Sequence, residues 1–421
     1  MRQIVLFEAI DSLSIGTGDE RALTHQEADE LERYIAKQGL AAGQFILTRH
    51  SLRIVNYVGY IQLSTVAIEV LPKVAADTTP DKCRLALLNM LQESGFISIS
   101  FSEATTQQLT SGSLFEIFGR LFAEQLIKEI RRGLCFCYLG KEENSGFLRG
   151  KLLLAKHIGN MVRGSAKVYC AYDEFQVDHT INQFLKQITR VLVKRVRNLY
   201  TLDLLSRCLL RFDEVTDVFL TSPQVEAIQL DRTNQRFATV LLLAKLFYHN
   251  KVMTMHSGFD SAFSVLFPMN DLFEVYIGRL CQRNLPYPVK IQKSQAKLWI
   301  KTLSGRGLFS LKPDILIDTA PGEQIIIDTK WKWINGQTAR HGVSREDYFQ
   351  MYAYLTRYQS ARAVVLLYPH HEGLSASGVI LERYHLEENP EKELAIVSVA
   401  FGNKVKAIVE LQNIVKLLQK N

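Results

Sequence analysis

Residues 311–333 read LKPDILIDTAPGEQIIIDTKWKW, and three of their side chains could do chemistry. Asp314 opens one β-branched run, Asp328 and Lys330 close the next, and the Pro-Gly turn in TAPGEQ predicts an antiparallel pair. Residues i and i+2 of a strand share a face, so Asp328 and Lys330 project together, with Ile327 and Thr329 opposite. Pairing the two runs brings Asp314 within reach of an ion shared with Asp328. A buried carboxylate left without a partner costs roughly 3–5 kcal/mol. Two carboxylates and a backbone carbonyl form a hard-oxygen set suited to Mg²⁺. A lysine beside them can orient or deprotonate a water on such an ion, or stabilise charge developing on a phosphate. That is the chemistry of phosphodiester hydrolysis. D-x-K alone is common and equally suits a structural Asp–Lys pair. The specificity lies in the full order: P-D, strand, turn, strand, D-x-K, helix. Asp318 reads as a turn residue. Lys332 lies on the Lys330 face, too far out for a catalyst but able to touch a DNA phosphate.

Flanking helices must position this set. SREDYFQMYAYLTRY (344–358) predicts a helix with Ser344 as N-cap and Asp347 three residues on. Gln350 and Tyr354 are four apart, share its face, and can hold the lysine or contact DNA backbone. Glu274, on the helix MNDLFEVYIGRLCQRN, can add a carboxylate to the metal shell or remain a solvated helix residue.

The rest of the chain divides by texture into an α+β, multidomain protein. Residues 1 to about 75 alternate apolar and polar positions and read as β-rich, followed by a helix opening at Pro80. The middle is mainly helical. Helices are expected over 113–133, 179–200 and 234–250, with an irregular basic section of short strands and loops between the first two. From about 255 the pattern becomes α/β, with strands at 297–302, 313–319, 324–331, 361–370, 377–383 and 394–400 and a terminal amphipathic helix. The expected domains are 1–100, 101–254 and 255–421.

The chain has 421 residues, 47% of them hydrophobic and 22% charged, which is globular composition and exceeds one ordinary core. The longest apolar run, 237–248, is broken by Lys245 and too short for a bilayer, so no membrane role and a cytoplasmic location are expected. Six cysteines show neither CxxC pairs nor histidines at zinc spacing, and read as small buried hydrophobes. Net charge is +7, and Gly119–Val168 alone holds ten Lys/Arg against four Asp/Glu. That concentration fits a polyanionic partner or a solvated face. SGFLRGKLLL evokes a phosphate loop, but Gly146 and Gly150 stand one residue too close and Leu152 replaces Ser or Thr. No GTP hydrolysis by this chain is expected.

PDILID…IIIDTKWK resembles the PD-(D/E)xK nuclease superfamily, with Gln350 and Tyr354 where some members carry Q-x-x-x-Y. More narrowly, the chain is similar to McrC-type nuclease subunits of McrBC modification-dependent restriction systems. YIQLSTVAIEVLPK (60–73), FLRGKLLLAKHI (147–158), CAYDEFQVDHTINQFLK (170–186) and FPMNDLFEVYIGRL (267–280) carry this likeness. The resemblance implies a C-terminal nuclease core with a mixed sheet, catalytic Asp314, Asp328, Lys330, Gln350 and Tyr354, and Mg²⁺ at Asp314, Asp328 and Glu274. It implies a hexameric AAA+ GTPase partner, McrB-like, that reads modified cytosine in double-stranded DNA. The chain would stimulate GTP hydrolysis and cut the DNA. A finger-like projection does the stimulating in the family. Here the basic section at about 133–180 is the candidate, with Arg149, Lys151, Arg163 and Lys167 as partner-binding residues. An arginine acting in trans speeds nucleotide hydrolysis in other systems. Two alternatives remain: a stand-alone repair nuclease of the same superfamily, and a catalytically idle activator of a ring NTPase.

Overall fold

The apolar run at 66–71 is buried at every position, as a strand covered on both faces must be. In the computed structural model it is β6 (Val66–Leu71), flanked by parallel β1 (Arg2–Phe7) and antiparallel β5 (Tyr57–Gln62). Short strands β2 (Leu13–Ser14), β3 (Phe45–Leu47) and β4 (Ser51–Ile54) form a separate antiparallel sheet. The structure describes residues 1–38, 43–72, 79–96, 112–249, 263–293, 296–302, 304, 306–336, 338–371, 373–374 and 377–419. The expected boundaries at 100/101 and 254/255 lie outside them.

The β-rich reading of the first 75 residues needs a correction: helix α1 (His25–Gln38) interrupts the strands. Its start carries a reciprocal cap. Thr24 Oγ1 accepts from the Glu27 amide at 3.2 Å, and the Glu27 carboxylate accepts from the Thr24 amide at 2.9 Å. Ala28, Leu31 and Tyr34 pack into the core formed with β1 and β6. Helix α2 (Pro80–Glu93) follows as expected, with Pro80 at its first position.

Met1–Leu114 and Val252–Asn421 form one compact unit, Phe115–Lys251 another. The second unit takes in α3 (Leu114–Ile130) from its second residue, then β7 (Cys137–Ser145), β8 (Lys151–Leu152), α4 (Leu154–Val162) and β9 (Val168–Gln176). These three strands form an antiparallel sheet, ordered β7-β9-β8. The helix expected over 179–200 is two helices, α5 (Thr180–Val193) and α6 (Leu199–Leu210). Asn198 breaks the run because its side chain accepts from the Thr201 amide and caps α6. Helices α7 (Ser222–Glu226) and α8 (Ala238–His249) complete this unit.

In the first unit, β10 (Phe263–Pro268) escaped the sequence reading and pairs antiparallel with β5. The backbones approach so closely at Gly59 that a Cβ there would stand 1.9 Å from the Val265 carbonyl oxygen. Helix α9 (Met269–Asn284) leads into β11 (Val289–Ile291), β12 (Ala296–Ile300), β13 (Gly307–Leu311), β14 (Ile315–Ala320) and β15 (Glu323–Thr329). Helix α10 (Arg345–Arg357), β16 (Ala361–Pro369), β17 (Ile380–Leu386), β18 (Asn389–Val399) and α11 (Lys404–Leu418) follow. Six of these strands make a mixed sheet ordered β11-β14-β15-β16-β18-β17, while β12 and β13 form a separate hairpin. Antiparallel β14–β15 meets parallel β15–β16, joined through α10. Met351, Tyr354 and Leu355 of α10 pack on Leu316, Ile326, Val364, Leu366 and Ile396. The architecture is α+β with several sheets. No helix among the described residues is long and apolar enough to cross a membrane.

Candidate active site

The β14–β15 register pairs Ile315 with Ile327, so one further step sets Asp314 opposite Asp328. Paired residues of an antiparallel ladder share a face. Even-numbered positions of β15 face α10, which brings Asp328 under Gln350 and Tyr354. Asp314 precedes β14, and Lys330 follows β15, anchored by its amide to the Leu367 carbonyl at 2.9 Å.

Asp328 is 1% exposed. Its Oδ1 accepts from Gln350 Nε2 at 3.1 Å, and Lys330 Nζ stands 2.6 Å from its Oδ2. Among the described residues, Oδ2 has no hydrogen-bond partner beyond that ion pair. Burial, then the facing Asp314 charge, pushes Asp328 up to about 7, with Lys330 pulling the other way. Asp314 is also raised, chiefly by burial, and its Oδ2 accepts from the Thr329 amide at 2.7 Å and the Thr329 hydroxyl at 2.9 Å. Burial pulls the Lys330 ammonium down, but the Asp328 and Asp314 charges outweigh it and hold the group above its ordinary value. Lys330 is therefore a cation in this arrangement.

Gln350 is the hub of the network. Its Oε1 accepts from Lys330 Nζ at 3.1 Å, while its Nε2 donates to Asp328 Oδ1 and to Tyr354 Oη at 3.0 Å. Tyr354 in turn donates to the Lys312 carbonyl at 3.2 Å and is 2% exposed, so it orders the site from behind and presents no surface to DNA. Glu274 comes from α9 toward the Asp314 side. Its Oε1 accepts from Gln292 at 2.6 Å, and burial followed by the Asp314 charge raises it. Gln292 also accepts from Lys312 Nζ at 3.0 Å.

The donor set suits a hard divalent cation. Two facing carboxylates, both raised, include a buried oxygen, Asp328 Oδ2, held by an ion pair alone. A cation there would offset the burial that raises both and the Asp314 charge that adds to it at Asp328.

Two sequence readings are corrected. Asp318 lies inside β14 rather than in the turn, accepting from Lys290 at 2.6 Å and Gln324 at 2.7 Å. Thr329 reaches Asp314 because β15 ends there and strict alternation stops. Lys332 pairs with Asp347 at 3.0 Å. Sequence reasoning missed Glu8, whose carboxylate accepts from the Trp331 indole at 3.1 Å and the Asn56 amide at 2.6 Å. It thereby fixes the residue next to Lys330 from the end of β1, and no local spacing signals this.

Arg149, Lys151, Arg163 and Lys167 are all exposed, in and around β8 and α4. The Arg149 guanidinium lies 4.6 Å from the Tyr172 ring centre. Leu154, Ile158, Met161 and Val162 make an exposed apolar stripe along α4. No histidine stands at zinc spacing from a cysteine in the sequence, yet the fold brings Cys135, Cys137 and His179 together, with ligand-type atoms within 4.8 Å of one another. The histidine comes from over 40 residues away, beyond any spacing rule. Its Nε2 meets the Cys135 carbonyl at 2.9 Å and its Nδ1 accepts from the Ile181 amide at 3.3 Å, so both ring nitrogens are engaged. Five cysteines are buried and Cys137 is half-buried.

A family model described as the McrBC 5-methylcytosine restriction system component matches residues 52–369. No curated protein sequence matches the chain. Among solved structures, one similar chain belongs to the refined half-complex from a tetradecameric assembly of Thermococcus gammatolerans McrB AAA+ hexamers with bound McrC. It is 21% identical with a TM-score of 0.74, covering 99% of this chain and 100% of that one. A second, in the Thermococcus gammatolerans McrBC complex, is 23% identical with a TM-score of 0.54, covering 67% of this chain and 88% of that one. The family match spans well over half of the sequence, and the chain belongs to the McrBC 5-methylcytosine restriction system component family.

Proposed function

We propose that this chain is the Mg²⁺-dependent DNA endonuclease subunit of a methylcytosine-type restriction system, acting in the cytoplasm with an AAA+ GTPase ring. The carrying observation is the opposed pair Asp314 and Asp328 with Lys330 and Gln350 around them. Mg²⁺ held by the two carboxylates, with Glu274 beside Asp314, would supply Lewis-acid polarisation and water activation for phosphodiester hydrolysis. Thr329 orients the Asp314 carboxylate through two hydrogen bonds. Lys330 stays protonated and stabilises negative charge building on the phosphate. Gln350 fixes that ammonium, and Tyr354 fixes Gln350.

Partner engagement falls to the section around β7–β9. Its exposed cations and the apolar stripe of α4 suit a protein surface, and Arg149, Lys151, Arg163 and Lys167 are the residues we assign to stimulating GTP turnover. The modified base is read by the ring. The test combines the chain, the ring, GTP, Mg²⁺ and duplex DNA carrying 5-methylcytosine. Cleavage should need every component, and Lys330→Ala should stop cleavage while GTP turnover remains stimulated. Robust cutting of unmodified DNA by the chain alone would replace this reading with the stand-alone nuclease.

A further inference from the structure

We propose that the β12–β13 hairpin grips the DNA duplex beside the carboxylate pair, an inference that rests on the nuclease reading above. From Lys293 to Lys312 the chain carries five Lys/Arg and no Asp or Glu, +5 in twenty residues against +7 for the whole protein. Lys297, Lys301 and Arg306 are exposed, and among the described residues no carboxylate pairs with them. Two other exposed lysines of the same unit meet acids instead: Lys332 meets Asp347 and Lys404 meets Glu93. A cluster of cations left without acids is complementary to a polyanion.

Apolar surface accompanies the charge. Trp299 is 64% exposed, Ile300 63% and Phe309 71%. Partners run Lys297–Ser310 and Trp299–Leu308, and the ladder skips Leu298–Phe309. Phe309 has φ +52°, a left-handed conformation that is an outlier for a bulky side chain. Such strain clusters where a side chain must be aimed.

The base of the hairpin is fixed to the site. Arg357 donates to the Lys297 and Leu298 carbonyls at 3.1 and 2.9 Å, and Tyr358 to the Leu311 carbonyl at 2.9 Å. Tyr354, which holds Gln350, also holds the Lys312 carbonyl. β13 ends at Leu311, three residues before Asp314. A strand whose scissile phosphate sits over Asp314 and Asp328 therefore continues past the hairpin. There Lys297, Lys301 and Arg306 meet neighbouring phosphates, and Trp299 and Phe309 pack on the sugars of the backbone.

The experiment measures equilibrium binding of a short fluorescent duplex to the full chain across a salt series, with Ca²⁺ replacing Mg²⁺. Three proteins are compared with the wild type: Lys297→Ala/Lys301→Ala/Arg306→Ala, Trp299→Ala/Phe309→Ala, and Lys330→Ala, each checked by thermal melting. Each lost phosphate contact lowers the log–log salt slope by about 0.9, so the cation variant should lose up to about 2.7. The aromatic variant should bind more weakly at an unchanged slope, because it loses contact area and no phosphate contact, and Lys330→Ala should retain hairpin-dependent binding. Wild-type affinity and slope in both hairpin variants would overturn the proposal, as would a wild-type chain that binds no duplex. If the wild type never cuts DNA yet the hairpin variants still lose binding, the nuclease reading fails and the hairpin assignment stands.

Discussion

Asp328→Asn should flatten the pH dependence of stability in the metal-free protein. The buried carboxyl titrates at about 7 instead of 3.8, so the folded chain holds a proton that the unfolded chain releases. The stability tied to that proton is fully present below the unfolded value and is lost as pH rises through about 7. At 1.36 kcal/mol per unit the whole shift is worth about 4 kcal/mol, and the part falling between pH 5 and 8 is about 2–3 kcal/mol. The facing Asp314 carboxyl is raised as well and the Lys330 side chain is 21% exposed, which discounts the effect to about 2 kcal/mol. Asparagine keeps the shape and removes the titration. Urea unfolding in EDTA at the two pH values reads the difference directly. The wild type should lose about 2 kcal/mol more than the variant, whatever the variant's absolute stability. Saturating Mg²⁺ should recover that loss in the wild type and leave the variant unmoved. Equal pH slopes in the two proteins would refute the raised titration inferred for the buried Asp328 carboxyl.

Gln350→Ala should lower cleavage about 10–100-fold by releasing the Lys330 ammonium, with Tyr354→Phe weaker; single-turnover rates at saturating Mg²⁺ check both. Glu8→Ala leaves the Trp331 indole and the Asn56 amide without their acceptor and should cost about 2–4 kcal/mol in urea unfolding. Arg84→Ala strands the fully buried Glu69 carboxylate, which Arg84 meets at 2.6 Å, and should destabilise by about 3–5 kcal/mol. Replacing Arg149, Lys151, Arg163 and Lys167 together by Ala should abolish stimulation of GTP turnover while leaving the melting temperature unchanged.

The core of the candidate site was legible because its signals are local. Asp314, Asp328 and Lys330 lie on one hairpin, and Gln350 and Tyr354 are one helical turn apart on the next element. Their register and shared face follow from periods of 2 and 3.6 residues. Helix α1 was also readable in principle, since T-x-x-E at Thr24 and Glu27 is a capping signature that outweighs the surrounding strand texture. Other features were not. Glu8 reaches Trp331 across more than 300 residues, His179 reaches Cys135 across 44, and β10 joins the N-terminal sheet from residue 263 onward. Such contacts are set by topology, and no spacing in the chain encodes them.

The most direct test of the central claim is cleavage of methylcytosine-containing duplex by the Asp314→Ala/Asp328→Ala/Lys330→Ala protein with the GTPase ring, GTP and Mg²⁺. GTP turnover stimulated as by the wild type, with no DNA cut, is the expected result. Cutting by that triple variant would show that hydrolysis happens elsewhere and that the opposed carboxylates are structural.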